Sequence, residues 1–156
     1  MIADHDAICD IIQLVRVVLD TSVLISALRS STGASAEIVR FALRREIAAL
    51  MDYKLACEYR EVALRAEQLD ASGKSRMETA SVLDAIEAVS EPVYVAFRHR
   101  PLSPDVSDDM VLDVAINGAA DAIVTNNTRD FLDAARSFRV GVLTPAEMLK
   151  RLRRRK

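Results

Sequence analysis

The chain has 156 residues, of which 51% are hydrophobic, and a formal net charge of −2. That length closes one hydrophobic core without disulfides or structural metal, and Cys9, Cys57, His5 and His99 are too scattered for a disulfide framework or a zinc site. Aromatic residues make up 4% with no Trp, which argues against a base-stacking platform and leaves phosphate contacts as the main way to hold any nucleic acid.

The first fifteen residues, MIADHDAICDIIQLV, contain acids and no basic leader, and no run approaches the roughly 18 apolar residues of a membrane span. A cytoplasmic protein in a reducing compartment is expected, with residues 1–15 as an N-terminal extension. Residues 16–19 read as a buried strand that ends abruptly at Asp20-Thr21-Ser22. A short helix is expected from Val23, interrupted near Ser30 to Gly33, and Ser35 suits the N-cap of a helix through about Arg45. A second strand is expected over 46–51, then a helix over YKLACEYREVALRAEQLD with a stripe of Leu55, Tyr59, Val62, Ala66 and Leu69, broken by Gly73. A helix over about 75–89 follows, Pro92 opens a strand at 93–96, and RHRPLSPDVS is a loop. Ser107 suits the cap of a helix over 108–117, DAIVT and RVGVLT are strands, and Pro145 opens the closing helix. The basic end KRLRRRK suits a solvated helix terminus as well as a phosphate or partner contact. Strands alternating with helices imply right-handed crossovers and a mainly parallel sheet covered on both faces, so the class is α/β, one domain, in α/β/α layers.

In such a sheet, ligands bind outside the carboxyl ends of the strands, where strand order reverses. Asp20 follows the first strand and Asn126 and Asn127 follow AIVT, with Asp130 one short turn later. Glu58 borders the apolar stripe of its helix, whereas Glu61 has Arg65 at i+4 and reads as a surface ion pair. Asp108 and Asp109 open the helix after the proline loop. Each has a plainer reading: Asp20 as an N-cap, Glu58 paired to Lys54, Asp108 and Asp109 as helix-start charges, Asn127 and Asp130 as turn residues. Gathered together, such oxygens would repel unless a hard divalent cation neutralised them, which points to Mg²⁺ or Mn²⁺ and metal-assisted hydrolysis of a phosphodiester.

The segments VVLDTSVLISAL, EYREVALR, DVSDDMVLDVAINGAADAIVTNNTRDF and VGVLTPAEMLKRL, in that order, resemble the PIN domain family, and within it the VapC-like toxins of toxin-antitoxin systems. The resemblance runs from Arg16 to Leu152, between the extension 1–15 and a basic tail 153–156. It implies a PIN-like three-layer α/β/α fold and Mg²⁺- or Mn²⁺-dependent cleavage of RNA. On this resemblance Asp20, Glu58 and Asp108 are the catalytic acids. Asp20 and Asp108 hold the ion with help from Asp109, while Thr21, Ser22 and Thr125 support the site. Ser22 stands where many members have Asn, and Asn127 stands at the fourth acidic position, with Asp130 able to supply the missing charge. The resemblance also implies an antitoxin that offers an Arg or Lys to the carboxylates, and a homodimer formed through helices. Two other functions remain open: a degenerate PIN domain that binds RNA or antitoxin without cutting, suggested by Asn127, and a receiver-like Mg²⁺-binding regulatory domain, against which RVGVLTP offers no Lys.

Overall fold

The computed structural model describes residues 13–98 and 105–155. Residues 1–12 of the expected extension, His99 with most of the proline-containing loop, and Lys156 of the tail lie outside the described residues.

Five strands form one sheet: β1 (Arg16–Leu19), β2 (Ala48–Met51), β3 (Glu91–Pro92), β4 (Ala122–Val124) and β5 (Gly141–Leu143). All neighbours are parallel, in the order β3-β2-β1-β4-β5. Eight α-helices are present among the described residues: α1 (Thr21–Arg29), α2 (Ala34–Leu43), α3 (Tyr53–Ala63), α4 (Ala66–Ser72), α5 (Arg76–Val89), α6 (Val106–Asn117), α7 (Leu132–Ser137) and α8 (Pro145–Arg153). The α/β class and its layered parallel sheet are as the sequence predicts. β1 is the central strand, with Val17 opposite both Ala49 and Ala122, which is why Val17, Val18 and Leu19 are all buried. The chain builds outward from β1 through β2 to β3, then crosses back to β4 and β5. Strand order therefore reverses between β1 and β4, and the ground beyond their carboxyl ends is where sheets of this kind bind ligands. α6 packs on β1, β2 and β4, and α1 packs on α2 and α3.

Several boundaries differ from the sequence reading, each for a local reason. α1 begins at Thr21, directly after Asp20, rather than at Val23. Gly33 takes the N-cap of α2, and Ser35 is buried inside the first turn. The single helix expected after Asp52 breaks at Leu64 and Arg65, where Arg65 takes extended angles as the N-cap of α4. The buried stripe of α3 is consequently Leu55, Tyr59 and Ala63, while Val62 is half-buried and Ala66 is exposed. β3 lies at Glu91–Pro92 rather than 93–96: proline is tolerated at this sheet edge, and the amides of Ala96 and Phe97 donate to Asn117 Oδ1 instead of to a strand. Asp105, not Ser107, caps α6, accepting from the Ser107 amide at 2.9 Å. α7 has no counterpart in the sequence reading; six residues are too few to display a helical period. The Glu61–Arg65 pair forms at 3.1 Å as predicted, and Gly73 ends α4 in the left-handed conformation that glycine adopts freely.

The turns leading from α2 into β2, α6 into β4 and α7 into β5 each contain a non-glycine residue at positive φ: Arg45 at 57°, Ala119 at 50° and Arg139 at 57°. Beside the second of these, Gly118 is limited by space rather than by conformation, since its φ is −86°. A Cβ there would stand 2.8 Å from the Val114 carbonyl oxygen and 2.9 Å from both Leu50 Cδ1 and Val93 Cγ2. Gly118→Ala is predicted to cost about 1–3 kcal/mol through overpacking, seen as a lower urea midpoint with an unchanged denaturant slope.

Candidate functional site

Asp20 is the first residue beyond β1, and its amide still donates to Val124 O at 2.9 Å, so the paired strands fix its position. It sits at the N-cap of α1, yet its side chain makes no cap hydrogen bond. The carboxylate turns instead toward β4, where Oδ2 accepts from Ser22 Oγ at 2.6 Å and Thr125 Oγ1 at 2.7 Å. The capping role open to Asp20 in the sequence is therefore not the one its side chain takes. Those hydroxyls accept in turn from the Asn126 and Asn127 amides, at 3.2 and 3.0 Å, so the single proton of each is committed to the carboxylate. Oδ1 takes no part in this network. Asn126, outside the expected set of site residues, ties the end of β4 to α1 by donating to Ser22 O at 3.1 Å and Ser26 Oγ at 3.0 Å.

Glu58 arrives on α3, whose start is capped by Asp52 accepting from the Leu55 amide at 2.8 Å. The next residue, Tyr59, is buried and donates its hydroxyl to the carbonyl of Leu19, the residue before Asp20. Two sequence neighbours, Glu58 and Tyr59, are thereby set against two others, Asp20 and Leu19. Burial raises the Tyr59 pKa, so its hydroxyl remains a donor. Burial also pushes the Glu58 carboxyl above the usual glutamate range; the charges of Asp20 and Glu61 add to the rise, while nearby Thr21 and Ser107 hydroxyls oppose it. Despite those neighbours, Glu58 Oε2 and Thr21 Oγ1 are buried without a hydrogen bond of good geometry. Among the described residues Glu58 makes no ion pair with Lys54.

At the start of α6, Ser107 faces Glu58 across a groove, and the next residue, Asp108, is half-buried. Asp109 is buried more deeply, at 2% exposed, as is Asp113 one turn later at 4%. Asp113 is absent from the sequence-derived set, although an acid at i+4 from Asp109 within the apolar run VLDVAI was a visible signal. Asn127 and Asp130 lie past the end of β4, exposed, at the two ends of a short 3₁₀ turn. Asn127 reaches the Asp20 network through its backbone amide rather than its side chain. The basic tail is elsewhere: Arg155 lines a groove with Gln13, Leu14, Val15 and Phe41, where the chain enters β1, at the opposite sheet edge from Asp20.

Among the described residues, no three Asp, Glu, His or Cys side chains form a group that could hold a metal ion as they stand. The donors at the crevice do fit a hard divalent cation in kind. They are all oxygens, Asp20 leaves Oδ1 out of its hydrogen-bond network, and Glu58 buries an oxygen that no donor satisfies.

The raised Glu58 pKa has a consequence for stability. The folded state keeps this proton at pH values where the unfolded chain, titrating at about 4.3, has released it, so stability falls as pH rises from there through the folded value and levels off above it. In chelator, Glu58→Gln is predicted to raise the melting temperature at pH 7, at about 2–4 °C per kcal/mol for a chain of this size. Thermal scans toward pH 4 should show the gain vanish.

A sequence profile of the PIN domain matches residues 16–129. No curated protein sequence matches the chain. Among solved structures, the crystal structure of VapBC2 from Rickettsia felis bound to a DNA fragment from their promoter superposes with a TM-score of 0.56. That superposition covers 83% of this chain and 98% of the other at 12% identity, a likeness of fold. The matched segment begins with β1 and takes in Asp20, Glu58, the α6 acids and Asn127, and on that match the chain belongs to the PIN domain family.

Proposed function

We propose that this PIN domain is a metal-dependent endoribonuclease and the toxin of a toxin-antitoxin pair. The observation that carries the reading is Asp20 at the β1–β4 reversal, aimed by Ser22 and Thr125 and close enough for its charge to act on Glu58, which buries one carboxyl oxygen with no donor. Family membership supports nucleolytic chemistry, and the fold shared with a VapBC complex supports pairing with an antitoxin. Receiver-like regulation is set aside by the family match.

In this reading Asp20 and Asp108 hold Mg²⁺ or Mn²⁺, with Asp109, Asn127 and Asp130 as further oxygen donors, and Glu58 holds the attacking water. The bound ion would polarise a phosphoryl oxygen and acidify a water. Thr21, Ser22 and Thr125 orient the carboxylates, and the domain boundaries are 16–152 for the nuclease, with residues 1–15 and 153–156 flanking it. A cytoplasmic location suits an RNA substrate; no helix among the described residues is long and apolar enough to cross a membrane. An antitoxin segment carrying Arg or Lys would suit the same acidic crevice, and pairing of two copies through their helices completes the toxin reading. A second reading, RNA or antitoxin binding without cleavage, is favoured by the neutral, exposed Asn127 and by the lack of a preformed three-ligand group among the described residues.

The deciding assay is purified protein on a structured RNA with Mn²⁺ or with chelator, beside Asp20→Asn and Thr125→Val. Cleavage is expected only with metal. Thr125→Val, which removes a donor to Asp20 and not a ligand, should lose about 10–100-fold, and Asp20→Asn more than that. Cleavage surviving both chelator and Asp20→Asn would end the metal-dependent reading. In cells, expression alone is expected to arrest growth and the adjacent gene's product to relieve it; harmless expression would favour the non-cutting alternative.

A further inference from the structure

Low aromatic content argues against base stacking until the location of the rings is considered. Tyr53 is 84% exposed, so the fold gains little burial energy from placing a large ring there. It is the first residue of α3, and its hydroxyl lies beside the Cys57 thiol one turn along, which lays the ring along the face of the helix that carries Cys57. There it helps line a groove of about 350 Å³ between α3 and α6, together with Lys54, Glu58, Arg65, Ser107 and Met110. Lys54 has no ion pair among the described residues, and Arg65 stands near the far end of α3, paired only with the exposed Glu61. Glu61 lines the groove as well, so a flat apolar face and a cation toward each end, with Glu58 and Glu61 between them, suit a short stretch of phosphates whose bases are free.

We propose that Tyr53 is a stacking platform for one unpaired base of single-stranded RNA lying across this groove, next to the phosphate presented to Glu58 and Asp20. The choice of RNA rests on the nuclease reading above; the stacking site rests on the groove. Five residues at 1.5 Å rise put Tyr53 about 7.5 Å along the axis from Glu58, a span on the order of one extended nucleotide. Stacking tolerates any base because each has a π-face, so Tyr53 would select unpaired over paired RNA and not one sequence over another. Duplex RNA hides those faces and should gain nothing from the ring.

The test measures binding of a short fluorescein-labelled single-stranded RNA in chelator, where no cleavage intervenes, and of the same sequence as a duplex. Tyr53→Ala is expected to weaken single-strand binding at least about five-fold, from the lower end of measured base–aromatic stacking. Tyr53→Phe should retain binding, and duplex affinity should not change. With Mn²⁺, Tyr53→Ala should raise KM for single-stranded substrate and leave kcat near the parent value. Equal single-strand affinity in Tyr53→Ala, an equal loss on duplex, or no single-strand binding by the parent would each overturn the stacking site. Cleavage by both proteins at the same KM would discard the platform and keep the nuclease; Tyr53-dependent binding without any cleavage in Mn²⁺ would do the reverse.

Discussion

A carboxylate at the end of a buried strand must have its lost water replaced, and the donors to Asp20 set much of the rest of this structure. With the residue only 9% exposed, Oδ2 depends on the hydroxyls of Ser22 and Thr125, the latter 105 positions away in sequence. Thr125 reaches it only because β4 pairs directly with β1, and that pairing is the point where strand order reverses. Fold and crevice are thus two consequences of one sheet order. The Tyr59 hydroxyl adds the next link: by bonding the carbonyl beside Asp20 it fixes the rotation of α3 and with it the direction of Glu58.

The strands were legible because short apolar runs ended by polar residues have few other uses, and β1, β2, β4 and β5 lie where those runs fall. Asp20 and Glu58 were legible for a related reason, each being an acid beside an apolar pattern. What escaped was non-local or too short. Nothing in the sequence marks Leu64 and Arg65 as a helix break, because neither glycine nor proline stands there and the change of direction is set by packing of α4 against α1. The side-chain bonds of Tyr59 and Asn126 join distant elements, so no window of sequence contains both partners. Asp113 is the exception: as an acid at i+4 from Asp109 it was open to reading, and its apolar neighbours bury it.

Position also separates two ideas that sequence left joined. The Arg-rich end of α8 could have served substrate phosphates, but it lies by the residues that precede β1, a full strand length from the acids. Cations that share the acidic groove come instead from α3 and the residue after its C-cap, Lys54 and Arg65. Among the described residues these cations therefore stand in different settings, one pair interleaved with Glu58 and Glu61 beside the candidate chemistry and the other group at the back of the sheet.

The left-handed residues Arg45, Ala119 and Arg139 share that back edge, since each precedes a strand whose far end faces the crevice. An L residue in this conformation costs on the order of 1 kcal/mol relative to glycine, so the three turns together hold a reserve of thermal tolerance that glycine could release. Because they lie away from the edge that carries Asp20, a hardier version of this domain could be engineered from behind while that surface stayed as it is.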